Sequence, residues 1–276
     1  MRKNTSLLYN CEHNTKIIPY SKHFHMLYEI IFVVNGIIRL KVGKKSYIVD
    51  RNSLIFLSNL EEHSVEILST GYERYFLIIS SNKLAQLIKD PLLISLFKVR
   101  PDNFSHVFPA PDYTTTLMEQ IIHEYNTADQ YSEELIAGHI KEILVNLYRS
   151  DKSRFPITSK NIKLEIYQIQ SDIDINFKDP LKINQLAEKY YINPYYLSHS
   201  FKELTGYAPK HYLLLTRLSY AKIKLAETFL SIEDIAIQAG FTDANSFIRC
   251  FKNEFSITPN KYRKSFTTES TLISKK

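Results

Sequence analysis

Glycine is scarce in this chain, six residues in 276, and cysteine is scarcer, with two; tryptophan is absent. So few glycines count against a glycine-rich nucleotide fold. No Walker loop, Gly-x-Ser-x-Gly elbow or His-Glu-x-x-His helix occurs, so no catalytic constellation is expected. Cys11 and Cys250 make no disulfide framework and fit a reducing cytosol. An isolated thiol such as Cys250 is expected to pack inertly. The longest apolar runs, such as Ile30–Val34, are far too short to span a bilayer. Met1-Arg2-Lys3-Asn4-Thr5, with only Leu7-Leu8 behind it, predicts no secretory signal. These absences predict a cytoplasmic protein with no membrane partner and no cofactor.

What is present fits a folded protein. Hydrophobic residues make up 44% and charged residues 23%, which excludes disorder for most of the chain. The length predicts two domains, or one large one. The net charge of +6 weakly favours an anionic partner, and half of it falls in residues 165–276.

The apolar period changes along the chain. Tyr28–Val34, Ile37–Val42, Ser46–Val49, Leu54–Leu57, Val65–Leu68 and Tyr75–Ile79 are short β-type runs separated by turn residues. Asn35-Gly36 between two of them predicts a hairpin. Six such strands predict a sandwich or barrel. After Asn82 the period is helical. Tyr113–Tyr125 and Glu133–Tyr148 read as a helix pair, with Ile136, Ile140, Ile143, Leu144 and Leu147 in register. That stripe is either packed core or the seam of a homodimer. Residues 151–163 are polar, contain Pro156 and read as a linker. Residues from Leu164 to about Phe266 are helical, and the tail 267–276 is frayed.

The helical half repeats itself. Ile183, Leu186-Ala187, Leu197, Phe201-Lys202, Pro209 and Tyr212 recur as Ile232, Ile235-Ala236, Phe247, Phe251-Lys252, Pro259 and Tyr262. The offset is 49 before the second helix of each copy and 50 from Phe201 onward. Each copy reads as helix, tight turn, helix, which is the helix-turn-helix geometry. Asn193 is the expected cap of one second helix and Thr242 or Asp243 of the other. Ser231 with Asp234 approximates a capping box. Leu197, Phe201 and Leu204 form one inner stripe; Phe247, Phe251 and Phe255 form the other. The outer faces then carry Tyr195, Ser198, His199 and Lys202 in the first copy and Asn245, Ser246, Arg249 and Lys252 in the second. An Arg bonds guanine and an Asn adenine bidentately, so these faces have the chemistry of base readout. A lone solvated helix carries similar residues; two matched copies favour readout. Pro209–Leu230, with Leu215, Leu218, Leu225 and Phe229 on one stripe, reads as a connecting helix of about 30 Å. That is close to the ~34 Å between successive major-groove faces.

Residues 165–266 resemble the DNA-binding domain of the AraC/XylS family of bacterial transcription regulators. The resemblance rests on Ile235-Ala236-Ile237-Gln238-Ala239-Gly240-Phe241, then Phe247-Ile248-Arg249-Cys250-Phe251-Lys252, then Pro259-Asn260-Lys261-Tyr262-Arg263. Leu186-Ala187, Leu197, Phe201-Lys202, Gly206, Pro209, Tyr212, Arg217-Leu218 and Ala221 match the first copy and the connector. Ser256 departs from the usual Gly, Lys182 from a capping Ser or Thr, and His199 from a frequent Arg. The resemblance implies base-facing Tyr195, Ser198, His199, Asn245, Ser246 and Arg249, and phosphate-facing Tyr196, Lys202, Arg217 and Lys252. It also implies double-stranded promoter DNA, RNA polymerase and a small-molecule effector as partners, and an activator's role.

Upstream, His23-Phe24-His25, Glu29 and Gly36 have the spacing of a first cupin motif, and His63 sits where the second motif places its histidine. Ser58 and Leu60 replace the expected Pro and Gly. Three His and one Glu suit Zn²⁺, Fe²⁺ or Mn²⁺. The family's related sensor domains carry no metal, so His23, His25, Glu29 and His63 are expected to line an effector pocket. The rival readings are a metal-dependent cupin enzyme fused to a DNA-binding domain, and a ligand-free regulator controlled by abundance or a partner protein. The expected architecture is a two-domain α+β protein. Residues 1–150 form a cupin-like β-barrel (about 15–80) with flanking, dimerising helices (about 82–150). After a linker at 151–163, residues 164–266 form an all-α domain of two helix-turn-helix units.

Overall fold

The structure, a computed structural model, describes residues 7–15, 20–23, 27–101, 103–156 and 164–264. It divides into two compact units, Met1–Ser171 with Glu203–Gly206, and Asp172–Lys202 with Tyr207–Lys276. Residues 157–163 of the expected linker and the 267–276 tail lie outside the described residues. The linker's first part is a short 3-10 turn, Lys152–Arg154, capped by Asp151. Among the described residues no helix is long and apolar enough to cross a membrane.

Among the described residues the first unit has nine strands: β1 (Leu8–Asn14), β2 (Tyr20–His23), β3 (Leu27–Asn35), β4 (Ile38–Val42), β5 (Lys45–Val49), β6 (Ser53–Leu57), β7 (His63–Ile67), β8 (Glu73–Ser80) and β9 (Val107–Pro109). They form two antiparallel sheets, β1-β8-β3-β6-β9 and β2-β7-β4-β5, so the expected strand-rich unit is a sandwich whose barrel is not closed. Residue alternation explains the layering. In β3, Ile31 and Val33 point toward Ile38, Leu40, Val42 and Val65 of the smaller sheet and form the layer between the sheets. Tyr28, Ile30 and Phe32 point the other way, into a core shared with the helices. A sheet covered on both faces reads as the continuous apolar run seen in β3.

Those helices are α1 (Ser81–Leu87), α2 (Pro91–Lys98), α3 (Thr114–Thr127) and α4 (Ser132–Ser150). Ile136, Ile140, Ile143, Leu144 and Leu147 of α4 are all buried in this chain's own core. The stripe is therefore packing, and no dimer seam is left on it.

Asn35-Gly36 does not close a hairpin. β3 pairs with β6 and β8, whereas β4 pairs with β5 and β7, so the dipeptide is the corner between the sheets. Asn35 Nδ2 donates to the Gly71 carbonyl (3.1 Å), and the Ile37 N–H to Ser69 Oγ (2.7 Å). These bonds aim the chain away from β3. The tight hairpin is β4–β5, where Val42 faces Lys45 across Gly43-Lys44.

The second unit takes in the end of α5 (Leu164–Asn176), then α6 (Ile183–Lys189), α7 (Pro194–Thr205), α8 (Pro209–Glu227), α9 (Ile232–Gln238) and α10 (Ala244–Phe255). Leu218, Ala221 and Leu225 of α8 share one buried cluster with Ile235, Ala236, Ala239, Phe247 and Phe251. α8 ends at Glu227, earlier than expected, so Phe229 falls beyond the helix and is exposed.

Candidate nucleic-acid interface and sensor site

The two helix-turn-helix copies share their backbone bonding as well as their sequence. In the first turn the N–H groups of Tyr190, Tyr191 and Ile192 donate to the carbonyls of Leu186, Glu188 and Ala187. In the second, Ala239, Gly240 and Phe241 donate to Ile235, Ile237 and Ala236, each bond displaced by 49 residues. Both turns pass through the left-handed region, at Tyr191 (φ 55°) and Gly240 (φ 84°). This is how a helix satisfies its last carbonyls and reverses sharply.

Caps fix where the second helices begin. Asn193 Oδ1 accepts from the Tyr195 N–H at 2.8 Å. Asp243 Oδ1 accepts from the Ser246 N–H at 2.8 Å, so Asp243 and not Thr242 is the cap of α10. Ser231 caps α9 by accepting from the Asp234 N–H, and its hydroxyl donates to the Asp234 carboxylate. Lys182 provides no side-chain cap to α6.

The inner stripes are buried. Leu197, Phe201 and Leu204 are enclosed in the first copy; Phe247 and Phe251 are fully enclosed in the second, and Phe255 is half-buried. The rings of Phe241, Phe247, Phe251 and Phe255 follow one another at centroid distances of 4.6–5.6 Å. Outward, Tyr195, Tyr196, Ser198, His199 and Lys202 are exposed on α7, as are Asn245, Arg249 and Lys252 on α10; Ser246 is half-buried. Cys250 is half-buried against the α10 core.

Arg217 does not join these faces. Its Nε donates to the Phe177 carbonyl and its Nη2 to that of Asp179, both at 2.8 Å. The guanidinium is half-buried and braces the unit from within, whereas the family resemblance implied a phosphate contact.

In the first unit, Glu29 on β3 and His63 on β7 face each other between the sheets. They are 8% and 4% exposed, with His63 Nε2 3.8 Å from Glu29 Oε2. His63 Nδ1 donates to the Glu61 carbonyl (2.9 Å). For His23 only the backbone position is described, as the register partner of His63. His25 lies outside the described residues. Among the described residues no three His, Cys, Asp or Glu are placed to hold a metal ion.

Beside this pair lies a network that no motif or spacing announces. Glu61 Oε1 accepts from Arg100 Nε (2.7 Å) and from His106 Nε2 (2.9 Å), and its Oε2 accepts from the Ser58 N–H (2.6 Å). His106 Nδ1 accepts from the Tyr47 hydroxyl (2.9 Å). Burial acts to raise the Glu61 carboxyl pKa, but the Arg100 charge and the His106 and Ser58 bonds outweigh it and bring it down to about 2. Burial holds His106 below the usual histidine range despite Glu61. Four residues spread over positions 47–106 follow no spacing rule, so only the fold joins them. A separate open cleft of about 410 Å³ lies on α3 and α4, lined by Thr116, Glu119, Gln120, His123, Glu124 and His139, none of them an expected pocket residue.

Comparison with known proteins agrees with the fold and with the reader geometry. Residues 186–265 match the model of a helix-turn-helix domain. The chain is 26% identical over 247 residues to the transcriptional activator RhaS of Mannheimia succiniciproducens, covering 88% of this chain and 89% of that protein. It is 24% identical to the Msm operon regulatory protein of Streptococcus mutans, covering 86% and 84%. Its fold is similar to that of ToxT from Vibrio cholerae, solved with an unsaturated fatty acid bound, with a TM-score of 0.59, 20% identity and 95% and 97% of the two chains covered. Residues 186–265 thus carry a helix-turn-helix domain of the AraC type, and most of the chain is similar to transcription regulators.

Proposed function

We propose that the protein activates transcription from promoters it recognises with both readers, under control of a small effector bound in its N-terminal sandwich. The observation that carries this reading is the repetition of one turn, bond for bond, ahead of two helices that bury one apolar stripe and expose one polar face. Tyr195, Ser198, His199, Asn245, Ser246 and Arg249 meet base edges. Tyr196, Lys202 and Lys252 meet phosphates. α8, 19 residues and about 28 Å long, spaces the two copies for adjacent major-groove segments.

Glu29 and His63, a buried polar pair facing each other between the sheets, mark the effector end of the sandwich. That ToxT is solved with a fatty acid supports a sensing role for a unit of this fold. The effector works by binding two arrangements of the protein with different affinity. The reading includes RNA polymerase as the activation target, a homodimer, a cytoplasmic location and no enzymatic activity. With the α4 stripe already buried, the dimer contact uses the exposed side of α4, where Leu135 lies.

The test is selection of duplexes from a random pool on the full-length protein, followed by footprinting. Two protected patches about one helical turn apart on one DNA face are expected. Recovery of duplexes with no shared sequence would refute the reading. A thermal-shift screen of carboxylic acids and polyols then tests the sensor, with loss of response in Glu29→Gln and His63→Gln as the expected mark of this site.

A further inference from the structure

Tyr191 and Gly240 occupy the same place in the two turns, with the same three backbone bonds around them. The second copy meets the left-handed φ with glycine, the residue that adopts it without strain. At Gly240 a Cβ would also fall 2.8 Å from the carbonyl oxygens of Phe177 and Lys178. The first copy places a tyrosine at φ 55°, where a Cβ carries a steric cost that glycine escapes. Among the described residues no side-chain packing offsets that cost, because Tyr191 is 97% exposed. A large aromatic held in strained backbone and turned wholly to solvent is a residue whose use lies outside the chain.

We propose that Tyr191 is a DNA contact, resting its ring on a deoxyribose and donating its hydroxyl to a phosphate at the edge of the first reader's groove. This rests on the reader assignment above. The position argues for backbone and not base. A recognition helix presents its N-terminal residues to base edges, so the turn just ahead of it lies over the groove's rim. Tyr195 and Tyr196, exposed on the first turn of α7, continue the aromatic surface into that helix. A neutral phenol on a phosphate fixes register without carrying sequence information. It also displaces no condensed counterion.

The experiment compares Tyr191→Gly with the unaltered full-length protein, using a duplex recovered by selection, its single-base variants and two salt concentrations. Thermal melting is read in parallel. Removing the strained side chain is expected to raise the melting temperature by a few degrees and to weaken DNA binding about 3–10-fold, a range in which fivefold is about 1 kcal/mol. The loss should be equal across base variants, with the salt slope unchanged. Tyr191→Phe, which keeps the ring, should lose less. Wild-type affinity in Tyr191→Gly overturns the proposal, as does a loss confined to one base pair or a melting temperature that does not rise. Arg249→Ala serves as control. If it weakens binding while Tyr191→Gly does not, the proposal alone fails; if neither does, the reader assignment fails and the proposal with it.

Discussion

Arg217 Nε lies 2.8 Å from the Phe177 carbonyl oxygen, and its Nη2 the same distance from that of Asp179, so one side chain of α8 holds the chain that leaves α5. Charge-assisted bonds to carbonyls are stronger than neutral ones, and removing the donor strands both acceptors. Arg217→Ala should destabilise the second unit by about 2 kcal/mol. Thermal melting should show this directly. DNA affinity measured well below the transition should keep its salt slope, whereas loss of a phosphate contact would lower that slope by about one.

The left-handed positions that end helices give a pair of opposite effects. Gly240→Ala puts a methyl group 2.8 Å from two carbonyl oxygens at φ 84°, so both the clash and the backbone act against it. A loss of at least about 2 kcal/mol is expected. Ser256 ends α10 at φ 61°, and its N–H bonds the Lys252 carbonyl. Ser256→Gly keeps that bond and removes the strain, for a gain of up to about 1 kcal/mol. Chemical denaturation of the two variants checks both signs.

Why one half of this molecule was readable from sequence and the other only partly follows from where the information sits. The second unit is specified locally: Phe247 and Phe251 four residues apart fix a helix face, and Asp243 three residues ahead of Ser246 fixes its start. Arg249 and Asn245 then have one direction left to point. The strands β3 to β8 were also locally legible, within about two residues of their ends. Their pairing was not. Asn35-Gly36 has hairpin composition, yet the partner of β3 is settled by Ser69 and Gly71, more than thirty residues away. β1, β2 and β9 lack a clear alternation and were not anticipated. For Arg217 the family pattern pointed outward, while packing against the Phe177–Asp179 segment turned it inward. The Glu61 network is tertiary throughout.

That network predicts an acid sensitivity. Glu61 is held at about 2, below its ordinary carboxyl value, so the folded state binds its proton less well than the unfolded chain. Its contribution is complete above the unfolded pKa of about 4.3 and fades as the pH falls toward 2. His106 is also depressed, so its neutral folded form opposes protonation from about pH 6.5 downward. Both signs agree: the first unit loses stability on acidification. Glu61→Gln should cost a few kcal/mol at pH 7, because Arg100 loses its buried counter-charge, and should flatten the stability profile between about pH 2 and 5. A variant as stable as the parent at pH 7, with an unchanged profile, would show that the pairing contributes nothing.

The reader assignment makes the sharpest demand on the second copy. Phe247 and Phe251 are buried on one side of α10, so Arg249, between them, is carried to the opposite side and is exposed. If it bonds a guanine edge, Arg249→Ala should cost about 1–3 kcal/mol and relax preference at one base pair. Asn245, one turn earlier on the same face, should behave likewise at its own base. Lys252 lies in the last turn, where a cation reaches phosphate; its alanine variant should weaken all sequences equally and lower the salt slope by about one. In the first copy His199 is exposed on the outer face of α7, and His199→Ala should weaken binding and alter preference at its own base pair. Titrations of the four variants against the selected duplex and its single-base set, at two salt concentrations, separate these roles. Unchanged affinity and base preference in Arg249→Ala would remove α10 as a base reader, because no other exposed side chain of the second copy offers guanine a bidentate fork.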